Sequence, residues 1–121
     1  AARVMEEDVL ARRRRILGED HPDTILAVAN LAVTLRSQGD YAAARVMEED
    51  VLARRRRILG EDHPDTIRAA ANLAATLRGQ GDQLASRALL DDTLARYRRV
   101  LGDDHPETIR ARTALADLNE R

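Results

Sequence analysis

Along residues 22–37 the apolar side chains Val28, Leu31, Ala32 and Leu35 fall at i, i+3, i+4 and i+7, the spacing of one stripe on an α-helix. Gly39-Asp40 then interrupts the pattern as a helix-terminating glycine should. From Tyr41 to Leu59 the residues Ala44, Met47, Val51 and Ile58 are spaced by three, four and seven, which is again helical, and Gly60 closes that run. Ala, Leu, Arg and Glu dominate both segments and are strong helix formers. The pattern therefore predicts a helix A over 22–37 and a helix B over 41–59.

The same pattern returns. The nonapeptide LGEDHPDTI occupies Leu17 to Ile25 and again Leu59 to Ile67, and LGDDHPETI occupies Leu101 to Ile109. Residues 1–40 align with 43–82 without a gap and differ only at Leu26/Arg68, Val28/Ala70, Val33/Ala75 and Ser37/Gly79. A period of this length suits solenoids and propellers alike. The alternation of β-branched and aromatic residues that propeller strands need is missing, which leaves a helical solenoid. The expected layout is a single array over 1–121: a helix B at 1–17, repeats at 22–59 and 64–101, and a terminal helix A at 106–120. Short connections make successive helices antiparallel neighbours.

Within the nonapeptide, Leu-Gly ends helix B and Pro22 suits the first position of the next helix, where a missing N–H costs nothing. Asp20 or His21 is then the N-cap, and Asp23 complements the helix dipole from the first turn.

Composition narrows the function. Charged residues make up 34% of the 121, yet the net charge is −1, which removes the bulk electrostatic case for nucleic acid or an anionic membrane. Cys is absent, so disulfides and thiolate metal sites are excluded, and no apolar run is long enough to span a membrane. A soluble, cytoplasmic protein is expected. The chain opens on Ala rather than Met, which suggests a processed or excised segment. Aromatics are 2%, so the core must be built from Leu, Ile, Val and Ala through many modest contacts.

His21, His63 and His105 stand beside carboxylates, but spacing places them on different helix pairs, and no His-x3-His pair occurs. The runs Arg12–Arg15 and Arg54–Arg57 point all around a helix, and Asp8–Arg12 and Asp50–Arg54 have the stabilising i, i+4 order. They read as a solvated, salt-bridged face. No phosphate-cradling loop, dinucleotide fingerprint or metalloprotease motif is present. No catalytic residue, cofactor or metal is expected; an enzyme would need a metal at the His-Pro turns.

Three of the four differences between the near-identical units, at 26, 33 and 37, share one stripe of helix A, away from the stripe 28–31–32–35. The third unit carries Arg110, Asp117 and Arg121 there, keeping the arginine of Arg68 and changing the other two again.

The combination of His21-Pro22, Asn30-Leu31-Ala32, Gly39-Asp40-Tyr41, Ala44, Leu52 and Leu59-Gly60 resembles the tetratricopeptide repeat in its 42-residue form, as in kinesin light chains and many bacterial signalling proteins. The family often carries aromatics where this chain has Leu35 and Glu48; Gln83 replaces the equivalent of Tyr41, and Ala114 that of Asn30. The resemblance implies an all-α fold, a right-handed antiparallel helix-pair solenoid of six helices. It also implies that the A helices line a concave groove for peptides or partner helices, with the variable stripe facing it. The expected partner-contacting residues are Leu26, Asn30, Val33, Arg36, Arg68, Asn72, Ala75, Arg78 and Arg110. Their arginines favour an acidic partner.

The expected function is a non-catalytic protein-interaction scaffold with a peptide or protein partner, and no nucleic acid or membrane. The alternative is a self-assembly module that forms oligomers through its repeat ends, a dimer first. Asp117, Asn119 and Glu120 make the C-terminal end polar, whereas helix 1–17 keeps an internal sequence with Val4, Met5, Val9 and Ile16 exposed.

Overall fold

The computed structural model describes residues 2–120; Ala1 and Arg121 lie outside them. It contains six helices: α1 (Ala2–Leu17), α2 (Pro22–Ser37), α3 (Tyr41–Leu59), α4 (Pro64–Gly79), α5 (Gln83–Leu101) and α6 (Pro106–Asn119). Each helix packs on the next in sequence, and the A-type helices α2 and α4 also touch. The result is the expected all-α antiparallel helix-pair solenoid.

The ambiguity at the start of each A helix is resolved in favour of histidine. The Nδ1 of His21 accepts the Asp23 N–H at 3.1 Å, His63 does so for Asp65 at 3.0 Å and His105 for Glu107 at 3.1 Å. An N-cap acceptor satisfies a backbone donor that has no partner within the helix. At the other end of the B helices, Gly60 has φ +92°, a left-handed conformation that a side chain would strain, and its N–H bonds the Arg56 carbonyl at 3.1 Å. Asp40 and Asp82 cap α3 and α5 through their side chains.

The A-helix stripe Val28, Leu31, Ala32 and Leu35 is buried, as its spacing predicts. Met47 is only partly buried, and Ile58 is exposed. One core cluster runs from Leu10 through α2, α3 and α4 to Leu77. A separate cluster of Ala74, Leu90 and Leu118 joins α4, α5 and α6.

The arginine runs have particular partners. Asp20 accepts hydrogen bonds from both Arg54 and Arg57 of the next B helix, the latter at 2.8 Å. Asp62 repeats the arrangement with Arg96 and Arg99, each at 2.7 Å. These hydrogen bonds hold both aspartates below the usual carboxylate range. Asp8–Arg12 and Asp50–Arg54 form the expected i, i+4 pairs. Arg55 is buried and donates to the Asp65 carbonyl at 3.2 Å, so the run is a set of joints between repeats as much as a solvated face.

Candidate groove on the A helices

Residues at the variable stripe are exposed: Leu26, Val33 and Ser37 on α2, Arg68, Ala75 and Gly79 on α4, and Arg110 and Asp117 on α6. Arg121, the third member of the last position, lies outside the described residues. Asn30 is exposed and Asn72 half-buried, and neither side-chain amide has a hydrogen bond among the described residues.

Two open grooves lie between consecutive A helices. The first, of about 390 Å³, has Leu26 of α2 and Arg68 of α4 on its walls, with Arg55, Ile58 and Leu59 of α3 at its base. The second, of about 250 Å³, is bounded by Arg68 and Asn72 of α4 and by Arg110 and Ala114 of α6, with Leu90 and Tyr97 of α5 below. Arg68 belongs to both. The structure thus brings Leu26, Arg68, Asn72 and Arg110 to groove walls, while Asn30, Val33 and Ala75 lie on the exposed surface of the same helices.

Of the four A-helix arginines expected at the groove, Arg36 and Arg78 line neither cavity, and three of the four are engaged within the chain. Arg68 pairs with Asp65 at 3.3 Å and with Glu107 at 3.8 Å, and Arg110 pairs with Glu107 at 2.7 Å. Arg36 is held deeper: its Nη1 reaches Glu48 at 3.1 Å, the Asn72 carbonyl at 2.8 Å and the Thr76 hydroxyl at 3.4 Å. Thr76 in turn donates to the other Glu48 oxygen. Burial pushes the Glu48 carboxyl above its ordinary range, against the pull of Thr76 and Arg36. Arg78 is half-buried and makes no hydrogen bond or ion pair among the described residues.

Tyr97, buried beneath the second groove, has its phenol pushed up to about 12 by burial first and by the Glu107 charge next. It stands where the earlier units have Arg13 and Arg55.

Sequence reasoning missed two features. The Glu48–Thr76–Arg36 knot was hidden because Glu48 looks like one of a surface acidic triplet. The change from Ser37 to Gly79 has a packing cause: a Cβ at Gly79 would run into the Tyr41 ring. The signal was available in the repeat, because the unit that replaces Tyr41 with Gln83 also replaces Gly79 with Arg121.

The His-Pro elements hold no metal constellation. Each Nδ1 lone pair that a metal would use is spent on a helix start, and among the described residues no group of three or more His, Cys, Asp or Glu could hold an ion. No helix among them is long and apolar enough to cross a membrane.

Comparison with known proteins gives the same architecture. Residues 1–23, 24–65 and 66–107 match the tetratricopeptide repeat family. A crystal structure of Podosopora anserina "putative kinesin light chain nearly identical TPR-like repeats" superposes with a TM-score of 0.90 at 24% identity, covering 97% of this chain and 56% of that one. A point variant of the same protein gives 0.90 and 24%, covering 97% and 55%. This chain thus spans a little over half the length of those two. No curated protein matches it. The fold class typically acts as a non-catalytic scaffold for protein–protein interaction, and with its family match spanning most of its length, the chain belongs to the tetratricopeptide repeat family.

Proposed function

We propose that this chain binds an extended partner segment along the groove lined by α2, α4 and α6, and that acidic side chains of the partner are preferred. The observation that carries this is the pair of adjoining grooves, about 390 and 250 Å³, that share Arg68. Leu26 and Val33 supply apolar contact, Asn30 and Asn72 offer unspent amides to a peptide backbone, and Arg68, Arg78 and Arg110 supply positive charge, with Arg36 at the base and Ala75 leaving room. A partner carboxylate competes with Asp65 and Glu107 for Arg68 and Arg110, so affinity falls as salt rises. Titration of a peptide array followed by calorimetry tests the proposal. Arg68→Glu is expected to weaken acidic ligands by about 1–3 kcal/mol; unchanged affinity removes Arg68 from the site. Nucleic acid is not the partner in this reading, because every arginine of the second run and three of the four in the first bond protein acceptors, and a cytoplasmic setting suits a chain without cysteine.

A second reading rests on the face of α1. Residues 1–17 repeat 43–59 letter for letter, so exposure can be compared position by position. Val4 at 67% matches Val46 at 68% and belongs to the outer face of every unit. Val9 is 40% exposed where Val51 is 3%, Ile16 is 72% where Ile58 is 42%, and Met5 is 70% where Met47 is partly buried. The covered versions pack beside α2. We propose that a second copy of the chain covers Met5, Val9 and Ile16 in a symmetric dimer. Light scattering over a wide concentration range tests it: a strict monomer, with α1 fully protected from hydrogen exchange, overturns it.

A further inference from the structure

Helices α1 and α3 carry the same residues in two surroundings, so what α3 has and α1 lacks is directly visible. On α3, Met47, Val51, Arg54 and Ile58 follow one another at spacings of four, three and four, a single seam along the helix. Helix α2 packs on α3, and Asp20 at the start of α2 accepts from both Arg54 and Arg57. Asp62 serves Arg96 and Arg99 of α5 in the same way. The seam of a B helix thus receives an apolar cover and an acid together. On α1 the seam is Met5, Val9, Arg12 and Ile16, and all four are exposed. Arg15, the counterpart of Arg57 and Arg99, makes no hydrogen bond or ion pair among the described residues.

Shape and charge together choose the occupant. Spacings of four and three are those of paired helices, in which side chains of one seat between side chains of the other. A hollow of about 130 Å³ on α1, walled by Arg12, Arg13, Ile16 and Leu17, has room for one such side chain. Charge divides the same helix: Glu6, Glu7 and Asp8 fall in its first half and Arg12–Arg15 in its second. A second α1 laid antiparallel therefore sets acid against base at both ends. Laid parallel, it sets Arg12 against Arg12 in the seam, a like-charge contact. Helix α6 of another copy is a poorer cover, because Arg112 and Asn119 are exposed there where α2 buries Val28 and Leu35.

We infer that α1 is a self-pairing helix: two copies of the chain cross it antiparallel, about a two-fold axis level with Leu10 and Ala11, and Asp8 and Arg15 set the orientation. The inference rests on the self-association proposed above for this face and adds a direction, a register and the two residues that decide them. In that register Met5 of each copy seats in the hollow beside Ile16 of the other, and Val9 lies over the stem of Arg12. Asp8 of each copy meets Arg15 of the other. Asp8 already pairs with Arg12 on its own helix at 3.2 Å, so it gains a second arginine, as Asp20 and Asp62 have two each. One occupant thus supplies both the missing cover and the missing acid. The contact is its own complement, so association stops at the dimer.

The test uses the full chain, whose lack of cysteine makes introduced thiols the only ones present. Sedimentation of Val9→Glu is expected to show a dimer dissociation constant raised at least tenfold. Met5→Cys and Ile16→Cys, oxidised as a mixture, should give a disulfide-linked heterodimer, with little linked product from either alone. Asp8→Arg and Arg15→Asp should each weaken self-association about tenfold, because each sets like charges opposite one another twice. Mixed one to one, those two variants should pair as tightly as the parent chain, and D8R/R15D in one chain should restore the homodimer. Such rescue would not follow if the single variants had merely unravelled α1. Linked product from Met5→Cys alone, absence of rescue, or growth of mass beyond the dimer overturns the inference and leaves self-association through α1 standing. A parent chain monomeric at every concentration, or a dimer indifferent to Val9→Glu, overturns both.

Discussion

The joint between α2, α3 and α4 and the joint between α4, α5 and α6 have the same helix arrangement and opposite interiors. In the first, Glu48 is buried with Thr76 and Arg36; in the second, Leu90 and Leu118 occupy the corresponding places. The N-terminal Glu6–Thr34 hydrogen bond is a third version, polar but only partly buried. One backbone geometry thus accepts either filling, provided both partners change together. A buried polar cluster is tolerable when every member has a partner, and hydrocarbon is tolerable when no member is polar. Mixed fillings carry the penalty.

The largest expected effect follows from removing one partner at the polar joint. Arg36→Met leaves the Glu48 carboxylate without its counter-charge and is expected to cost about 3 kcal/mol in urea denaturation. Arg78→Met, at the apolar joint, should cost about 0.5 kcal/mol or less, since no pair is broken. Equal costs would break the comparison.

Converting the whole polar joint sharpens it further. R36M/E48L/T76L should unfold within about 1 kcal/mol of the parent chain, or later, because replacing a satisfied buried cluster with matched hydrocarbon is often neutral or stabilising. Thr76→Leu alone, which takes away one of the Glu48 hydrogen-bond donors, should cost about 1–3 kcal/mol. A triple variant whose cost equals the sum of the single costs would mean the three positions act independently.

The pH dependence separates the same joint from the surface clamps by sign. Glu48 holds its proton more tightly in the fold than at its ordinary value of 4.5. Its contribution is therefore most favourable below that value and is lost as pH rises through the folded value. Glu48→Gln should accordingly gain on the parent chain across that window and run parallel to it above. Asp20 and Asp62 are shifted the other way, so their contribution is present above the ordinary 3.8 and is lost as pH falls through their lower folded values. The smallest effect is expected here. D20N/D62N should lower the thermal midpoint slightly at low salt and scarcely at high salt, because both carboxylates face solvent. A loss independent of salt would point to a packing role instead.

The contrast also explains how far the sequence could be read. Helix type, order and buried A-helix stripe follow from periodicity, because one period of 3.6 residues dictates which side chains share a face. The His-Pro turn was legible as punctuation, but the choice between Asp20 and His21 as cap was not, since both have an acceptor at the right distance in the chain. It was settled by Arg54 and Arg57, more than thirty residues away, which engage Asp20. Glu48 was unreadable for a similar reason. Its local neighbours Glu49 and Asp50 mark it as surface, and only Thr76, reaching it from α4, makes burial tolerable. The variable stripe was legible as lying away from the core, but which A-helix arginine makes no ion pair among the described residues was not.

By itself, then, the sequence determined six antiparallel helices in a repeating pair, because hydrophobic period, helix-start and helix-stop signals are local and recur in register. It also placed three of the four changing positions on one stripe away from the core. The tertiary structure decided how each repeated position is used: Arg36 paired with Glu48 while Arg78 makes no ion pair among the described residues, Gly79 facing the Tyr41 ring, Asp20 clasped by the next repeat. Those outcomes depend on residues a full repeat away, brought within hydrogen-bond distance only when one helix pair stacks on the next.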